Sequence, residues 1–313
     1  MQQIHAPGQL ARGSSLQRGV AQPAERWSRS GGRVRTEEAI ADEHAATRAP
    51  RRCKIVRGFD GGRQRLRLRL ITYNIHRAIG LDRRFRLDRI VQILADHNVD
   101  IVLLQEVDEG VPRTRKMNLA KALARELGFP YYAVGHNVNL RKGRYGNATL
   151  SRFPIARERN IDLTVEERKR RGCQHTTINL ESKRAAVPSL EVFNLHLGLN
   201  SRERQRQAGI LARSEEIMTL DNGTPCLLGG DFNDWRSLLR AFFVEGMGFR
   251  CATDRETDAG PRAIPTYPSF SPRTGLDRIY YRGKLNLVSA SRCRHQTARI
   301  ASDHLPVIGT FEL

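Results

Sequence analysis

The chain has 313 residues, with 53 Lys+Arg against 33 Asp+Glu and a formal net charge of +20. No apolar stretch approaches membrane-spanning length and the start lacks the hydrophobic segment of a secretory signal, so a transmembrane or exported chain is set aside and a soluble, cytoplasmic protein is expected. The five cysteines are odd in number, far apart and without a C-x-x-C pair, which argues against a disulfide framework or a zinc site and fits a reducing compartment.

At 39% hydrophobic residues a sizeable core is possible, enough for one large α/β domain or two ordinary ones. The positive excess predicts attraction to polyanions: nucleic acid, anionic lipid or phosphorylated substrates. The basic residues are mostly arginine and spread along the chain, so the charge alone does not decide among these.

Residues 1–65 are rich in Arg, Gly, Ser, Ala and Gln, with one helix-like piece around Thr36–Thr47. They are expected to form a disordered basic N-terminal extension, passive, over-extended, or an arm for anionic partners. The ordered domain is expected over 66–313. It opens on Leu66-Arg-Leu-Arg-Leu-Ile-Thr-Tyr-Asn-Ile-His76, whose period-two alternation predicts a strand. Leu87, Ile90, Val91 and Leu94 then mark one face of a helix.

Asp100–Glu106 is a continuous apolar run ending in a carboxylate, the pattern of a buried strand. A second helix is expected over Leu119–Leu127, and short strands near Tyr131–Val134, Asn147–Ser151 and His175–Leu180. Leu190–Leu197 is a strand ending in Asn-x-His. Ser201 is placed to cap a long helix reaching about Leu220, and Pro225–Gly230 reads as a further apolar strand before Asp231. Strand, Asn-x-His, helix, strand, acid thus occurs twice, as Asn74-Ile-His76…Glu106 and Asn194-Leu-His196…Asp231.

The polar residues at these strand ends are Asn74, Glu106, His196, Asp231 and Asn233, joined later by Asp277, Asp303 and His304. Singly each has an ordinary reading: Glu106 as a helix cap or ion-pair partner, His196 as a core histidine, Asn74 as a turn former, Asp277 as one half of a pair with Arg278. Converging, and without cysteine, they favour a hard divalent cation over zinc. Such a cation and a phosphate would offset the desolvation of the acids in Gly229-Gly230-Asp231-Phe232-Asn233-Asp234.

The segments TYNIH, LLQEVD, YGNATLS, FNLHL, GGDFND, GLDRIY and ASDHLPV, spread from Leu66 to the C-terminus, resemble the endonuclease/exonuclease/phosphatase superfamily. The resemblance implies a four-layer α/β/β/α sandwich with two facing mixed β-sheets. It also implies phosphoesterase activity dependent on magnesium (Mg2+), with manganese (Mn2+) as a substitute. Asn74, Glu106 and Asp303 would be the metal ligands. Asp231 would orient or deprotonate the attacking water, Asn233 would hold the phosphate, and His304, held by Asp277, would contact the phosphoryl oxygens. His196 would serve the phosphate or leaving-group side.

The resemblance leaves the substrate open. Asp234-Trp-Arg-Ser follows the GD-x-N motif where apurinic endonucleases carry an Asn-Pro-Lys type segment, which disfavours that repair role. Thr266–Pro272, with Tyr267 and Phe270, is expected at the cleft rim or as a proline-stiffened loop. Arg115, in the basic loop Val111–Lys116, and Asn147 are candidate substrate contacts. Three readings follow: a phosphodiesterase of nucleic acid, a phospholipase of sphingomyelinase type or a phosphatase, and an inactive polyanion-binding module. No protein partner is deducible.

Overall fold

The computed structural model describes residues 57–60, 63–180 and 189–313. The helix-like piece at Thr36–Thr47 and most of the expected basic extension lie outside the described residues. Order begins before Leu66, however. A strand β1, Arg57–Asp60, pairs antiparallel with the start of β2, Arg63–Asn74, through the register Arg57↔Leu66 to Asp60↔Arg63.

Along β2 the side chains alternate. Leu68 and Leu70 enter one buried cluster, Ile71 and Tyr73 another on the opposite face. Helix α1, Leu87–Asp96, leads to β3, Ile101–Glu109, which pairs parallel with β2. Helix α2, Leu119–Leu127, starts at an Asn118 side chain that accepts from the Lys121 backbone N–H and ends on Gly128 in the left-handed region. Strands β4, Tyr131–Asn139, and β5, Arg144–Ser151, complete the far edge of this sheet. Its near edge is closed by β14, Asn286–Arg292, and β15, Val307–Glu312, giving seven strands with β1 included.

The second sheet has six strands, in the order β10 (Arg250–Cys251), β13 (Asp277–Arg282), β9 (Cys226–Asp231), β8 (Leu190–His196), β7 (Gly172–Ile178) and β6 (Ile155–Asp162). Only β8 and β9 are parallel in it, joined through helix α3, Ser201–Ala212. Each sheet therefore holds one parallel pair with its crossover helix, as the doubled sequence unit implies. The α3 helix differs from expectation at both ends. Its cap is Asn200, not Ser201: the extended Asn200 accepts from the backbone N–H of Arg202 and Glu203. It stops at Ala212 because the Ser214 hydroxyl and backbone N–H both donate to the Leu211 carbonyl, and a short helix α4, Glu215–Met218, follows.

Leu68, Leu70, Ile101 and Leu103 face Val192, Leu227 and Ile279 across the gap between the sheets. On the outer faces, Ile90, Ile93 and Leu123 cover the first sheet, while Ala208, Leu211 and Ile217 cover the second. Each such leucine or isoleucine contributes on the order of 2 kcal/mol by leaving water. The result is the expected four-layer α/β/β/α sandwich.

Toward one end of the gap the apolar core gives way to amides. Asn194 donates from Nδ2 to the carbonyls of Leu104, at 3.2 Å, and Ala148, at 3.0 Å, on the facing sheet. Its Oδ1 accepts from Gln105 Nε2 at 2.8 Å, and Thr149 donates to Gln174 at 2.8 Å. This seam satisfies buried polar groups across the sheets and fixes their spacing below the strand ends.

Candidate active site

Three neighbouring strands of the second sheet end at one level. The register pairs His196 on β8 with Asp231 on β9, and Asp231 with Asp277 on β13. Two carboxylates side by side would repel. His304 intervenes: its Nδ1 lies 2.9 Å from Asp277 Oδ2 and its Nε2 lies 3.7 Å from Asp231 Oδ2.

Asp231 is 1% exposed and is held on every side. Asn74, from the facing sheet, donates through Nδ2 to Oδ2 at 3.0 Å, and the Asn233 backbone N–H donates to Oδ1 at 2.9 Å. His196 Nε2 stands 3.4 Å from Oδ2. Burial pushes the Asp231 carboxyl up, against the pull of His304, to about 6. Burial would lower the His304 imidazole, but the carboxylates of Asp277 and Asp231 outweigh it and raise it to about 10. His196 goes the other way: burial first, then the positive charges of Arg171, His304, Lys169 and Arg77, hold it well below the ordinary histidine value. At neutral pH one carboxyl thus stands between an imidazolium and a neutral imidazole.

The twin glycines explain how Asp231 reaches this place. Gly230 has φ +144°, and a Cβ there would meet the Leu195 carbonyl oxygen at 2.0 Å. Only glycine lets β9 pass so close to β8 before it turns. Asn233 follows in the left-handed region at φ 50°, and its Nδ2 donates to the Leu197 carbonyl at 3.0 Å.

Glu106 sits on an irregularity of β3. Pairing with β5 shifts between Leu104 and Val107, and Glu106 takes φ 60°. A bulge re-aims a side chain out of the strand's alternation, here into the cleft. Glu106 Oε2 is buried without a hydrogen bond, and Arg77 Nη2 is 3.4 Å away. Arg77 lies in a left-handed run, His76 to Ala78 with φ 44°, 61° and 56°, which costs about 1–2 kcal/mol per residue. Asn74 Oδ1 accepts from the His76 backbone N–H at 3.0 Å and so anchors this turn. The two Asn-x-His segments consequently play opposite parts. Asn74 and His196 enter the site, while His76 closes a turn and Asn194 bolts the sheets.

Asp303 is half-buried beside Ser302, whose hydroxyl donates to the Asn74 carbonyl at 2.7 Å and ties the final loop to β2. Tyr267 packs 5.1 Å from the His304 ring and Trp235 edges onto Tyr267 at 5.2 Å, both between ring centroids. The Thr266–Pro272 segment therefore does border the site, and Trp235 extends it. Of the two expected substrate contacts, one is internal. Asn147 is 1% exposed and donates to the carbonyls of Gly172 and Asn194, at 3.2 and 3.1 Å, so it is a strut between sheets rather than a surface group. Arg115 is exposed, with its guanidinium 5.7 Å from the Phe85 ring centroid; its loop neighbour Arg113 forms two 2.7 Å bonds to the buried Asp108.

Among the described residues, metal-ligand atoms of Asp231, Asp277 and His304 lie within 4.8 Å of one another. Within this group His304 is bonded to Asp277 Oδ2, while Asp277 Oδ1 is buried without a hydrogen bond. Glu106 offers another buried oxygen without a hydrogen bond, and carboxylate donors without sulfur suit a hard cation. Arg77, Lys169 and Arg171 carry no motif that distinguishes them among so many basic residues, and Trp235 has no pattern of its own beyond following the GD-x-N motif.

The sequence profile of the Endonuclease/Exonuclease/phosphatase family matches residues 71–304. The uncharacterized protein YbhP of Escherichia coli (strain K12) is 30% identical over 258 residues, 80% of this chain and 98% of that one. Among solved structures, an endonuclease/exonuclease/phosphatase from Beutenbergia cavernae superposes with TM-score 0.65 at 20% identity, covering 79% of this chain and 72% of that one. A mannosyl-6-phosphatase of Bacteroides thetaiotaomicron gives 0.59 at 19% identity, covering 78% and 99%. No helix among the described residues is long and apolar enough to cross a membrane. With its profile match, its 30% identical relative matched over nearly that protein's whole length, and its two facing sheets, the chain belongs to the endonuclease/exonuclease/phosphatase family, whose members hydrolyse phosphoester bonds.

Proposed function

We propose that the chain is a divalent-metal-dependent phosphodiesterase that hydrolyses a P–O bond by in-line attack of water. The observation that carries this reading is Asp231: a fully buried carboxyl with its proton affinity raised to about 6, between a charged and an uncharged imidazole. A carboxyl with that pKa is mostly ionised at neutral pH, yet more basic than an ordinary aspartate, and suits removal of a proton from water. His304, kept protonated by Asp277, is a donor for the phosphoryl oxygens where negative charge grows. Asn233 lies beside Asp231 and holds the phosphate. His196, uncharged, faces the leaving-group side.

Glu106, Asn74 and Asp303 would hold the ion, magnesium with manganese as a substitute. When bound, such an ion neutralises phosphoryl oxygens and acidifies water. Nucleic acid is favoured as the substrate by the net charge of +20. The exposed rings of Trp235 and Phe270, at 45% and 61%, favour a second reading in which a phospholipid is cleaved at a membrane surface. The mannosyl-6-phosphatase neighbour keeps a phosphomonoester in the substrate panel. An inactive polyanion binder is disfavoured, because it has no need of so many buried acids.

The test is turnover of bis-p-nitrophenyl phosphate by the purified chain with magnesium, manganese or a chelator. Metal-dependent release of nitrophenol is expected; folded protein that releases none with either metal would return the binder. DNA, RNA and phospholipid vesicles at two salt concentrations then assign the substrate, since nucleic-acid affinity falls steeply with salt.

A further inference from the structure

Among the described residues, the His196 flank of the site carries more positive than negative charge. The register pairing Cys173 with Leu195 sets Gly172, and Arg171 before it, beside His196. The Gly172 carbonyl accepts from Asn147 Nδ2 at 3.2 Å, which ties this strand start to β5, two residues from Tyr145. Arg171 is thereby wedged at the mouth between the two sheets. It is only 6% exposed, and its Nε has no partner. Among the described residues no carboxylate pairs with Arg171 or with Lys169. Lys169 lies at the surface with its ammonium 5.5 Å from the Tyr145 ring centroid. Across the cleft, Arg77 stands 3.4 Å from Glu106. Three cations thus share one carboxylate.

Arginine is rarely retained inside a protein unless something pairs with it, and burying its Nε without a partner is unfavourable. Nearby Arg113 shows the ordinary solution, a two-bond fork onto the buried Asp108. Arg171 has no such acid. The field of the cluster is felt at His196, where Arg171 is the leading charge holding the imidazole neutral. The opposite flank of Asp231, occupied by His304 and Asp277, has its charges matched within the chain. The unmatched charge is one-sided, so its partner belongs beside the scissile phosphorus and not on it.

We propose that Arg171, with Lys169 and Arg77, forms a second phosphate subsite on the His196 flank, so that the substrate carries another phosphate next to the bond that breaks. This rests on the phosphoesterase reading for the bond itself. The fork of Arg171 supplies the directed contact, and the other two cations supply field. The second phosphate comes either from the adjacent linkage of a nucleic-acid strand or from a terminal phosphate of a small substrate.

The experiment starts from metal-free full-length protein in chelator, with binding of pyrophosphate and orthophosphate measured by calorimetry. Wild type is expected to bind pyrophosphate at least tenfold more tightly. Arg171→Met should abolish most of that preference, and the surface change Lys169→Ala should reduce it severalfold. Arg171→Met should also raise the Tm of the ligand-free protein, whereas a merely structural arginine would make it fall. Equal affinity for the two anions in wild type, or a preference unchanged in both variants, overturns the subsite. Intact pyrophosphate preference without turnover of any phosphoester would instead sink the catalytic reading and leave the subsite standing.

Two kinetic arms then identify the source. Lengthening a dinucleotide by one unphosphorylated nucleotide raises kcat/KM if the subsite takes a strand phosphate. Adding a terminal phosphate to a p-nitrophenyl nucleotide raises it if the subsite takes a free one. In either case the gain should drop at least tenfold in Arg171→Met; a gain of undiminished size overturns the proposal.

Discussion

Nδ1 of His304 lies 2.9 Å from Oδ2 of Asp277, with the imidazole 5% exposed and the aspartate fully buried. Burial alone would strip the imidazole of its proton. The two carboxylates beside it reverse that and raise its pKa to about 10. The sign follows from linkage. A group whose pKa is higher in the folded than in the unfolded chain stabilises the fold fully below the unfolded value, near 6.5. That contribution disappears as pH rises through about 10. Activity that needs His304 as a donor should persist through neutral pH and decline on the alkaline side. Asp277→Asn removes the leading charge that offsets burial, so the alkaline limb should move to lower pH. At pH 8 the loss should be on the order of 10²–10³ in kcat, the usual cost of a lost oxyanion donor. A pH–rate profile on bis-p-nitrophenyl phosphate reads both effects. An unmoved alkaline limb would separate His304 from the chemistry.

Asp231→Asn keeps the shape of the side chain and removes its capacity as a base. Turnover should fall by about 10³ or more, within the range general-base removal covers. The fold should survive, because a buried carboxyl at about 6 already carries a desolvation burden that an amide avoids. Circular dichroism beside initial rates separates the two. A wild-type rate in this variant would show that another group activates the water.

Glu106→Gln tests the ion. Glu106 Oε2 accepts no hydrogen bond and has only the Arg77 guanidinium near it, at 3.4 Å, and its backbone is strained at φ 60°, features that a bound ion would offset. Calorimetry with manganese should show affinity at least tenfold weaker in the variant. Equal affinity would move the ion to the Asp231, Asp277 and His304 group, where the ligand atoms already lie within 4.8 Å of one another.

The elements that frame the site were legible because period-two and period-3.6 patterns are strong where one face is buried. Leu119–Leu127 is a helix over the span its apolar spacing gives, and Glu106 and Asp231 each follow a continuous apolar run. Ile155–Asp162 was not legible. As an edge strand it needs only its inner face buried, so the exposed Arg157 and Arg159 break the apolar run that marks a core strand. The long-helix expectation failed at Ser214 because side-chain capping competes locally with helix continuation. Asn147 and Arg115 were read by proximity in sequence to motif residues. Proximity gives no direction, and the side chains point respectively into the sheet gap and onto Phe85. Arg171 is one of 53 basic residues, and only the register of β7 against β8 reveals that it is buried beside His196.

The spacing of the two sheets is itself a catalytic parameter, since Asn74 and Glu106 come from one sheet and Asp231, Asp277 and His196 from the other. Asn194 sets that spacing most directly. Its amide reaches two carbonyls of the facing sheet and accepts from Gln105, all in fully buried surroundings. Asn194→Ala leaves Leu104 and Ala148 carbonyls and the Gln105 amide without this partner. Each orphaned group costs about 1–3 kcal/mol, and relaxation recovers part of the sum, so a net loss of about 3 kcal/mol is expected. Urea unfolding should show a lower midpoint with an unchanged slope. Activity should fall too, because a misplacement of about 1 Å in such a constellation costs about 10²-fold. That loss should appear in kcat at temperatures well below the unfolding transition. A destabilised variant with wild-type kcat would mean that the seam supports the fold alone, and that Asn74 and Asp231 keep their 3.0 Å contact by the loop anchored through Ser302.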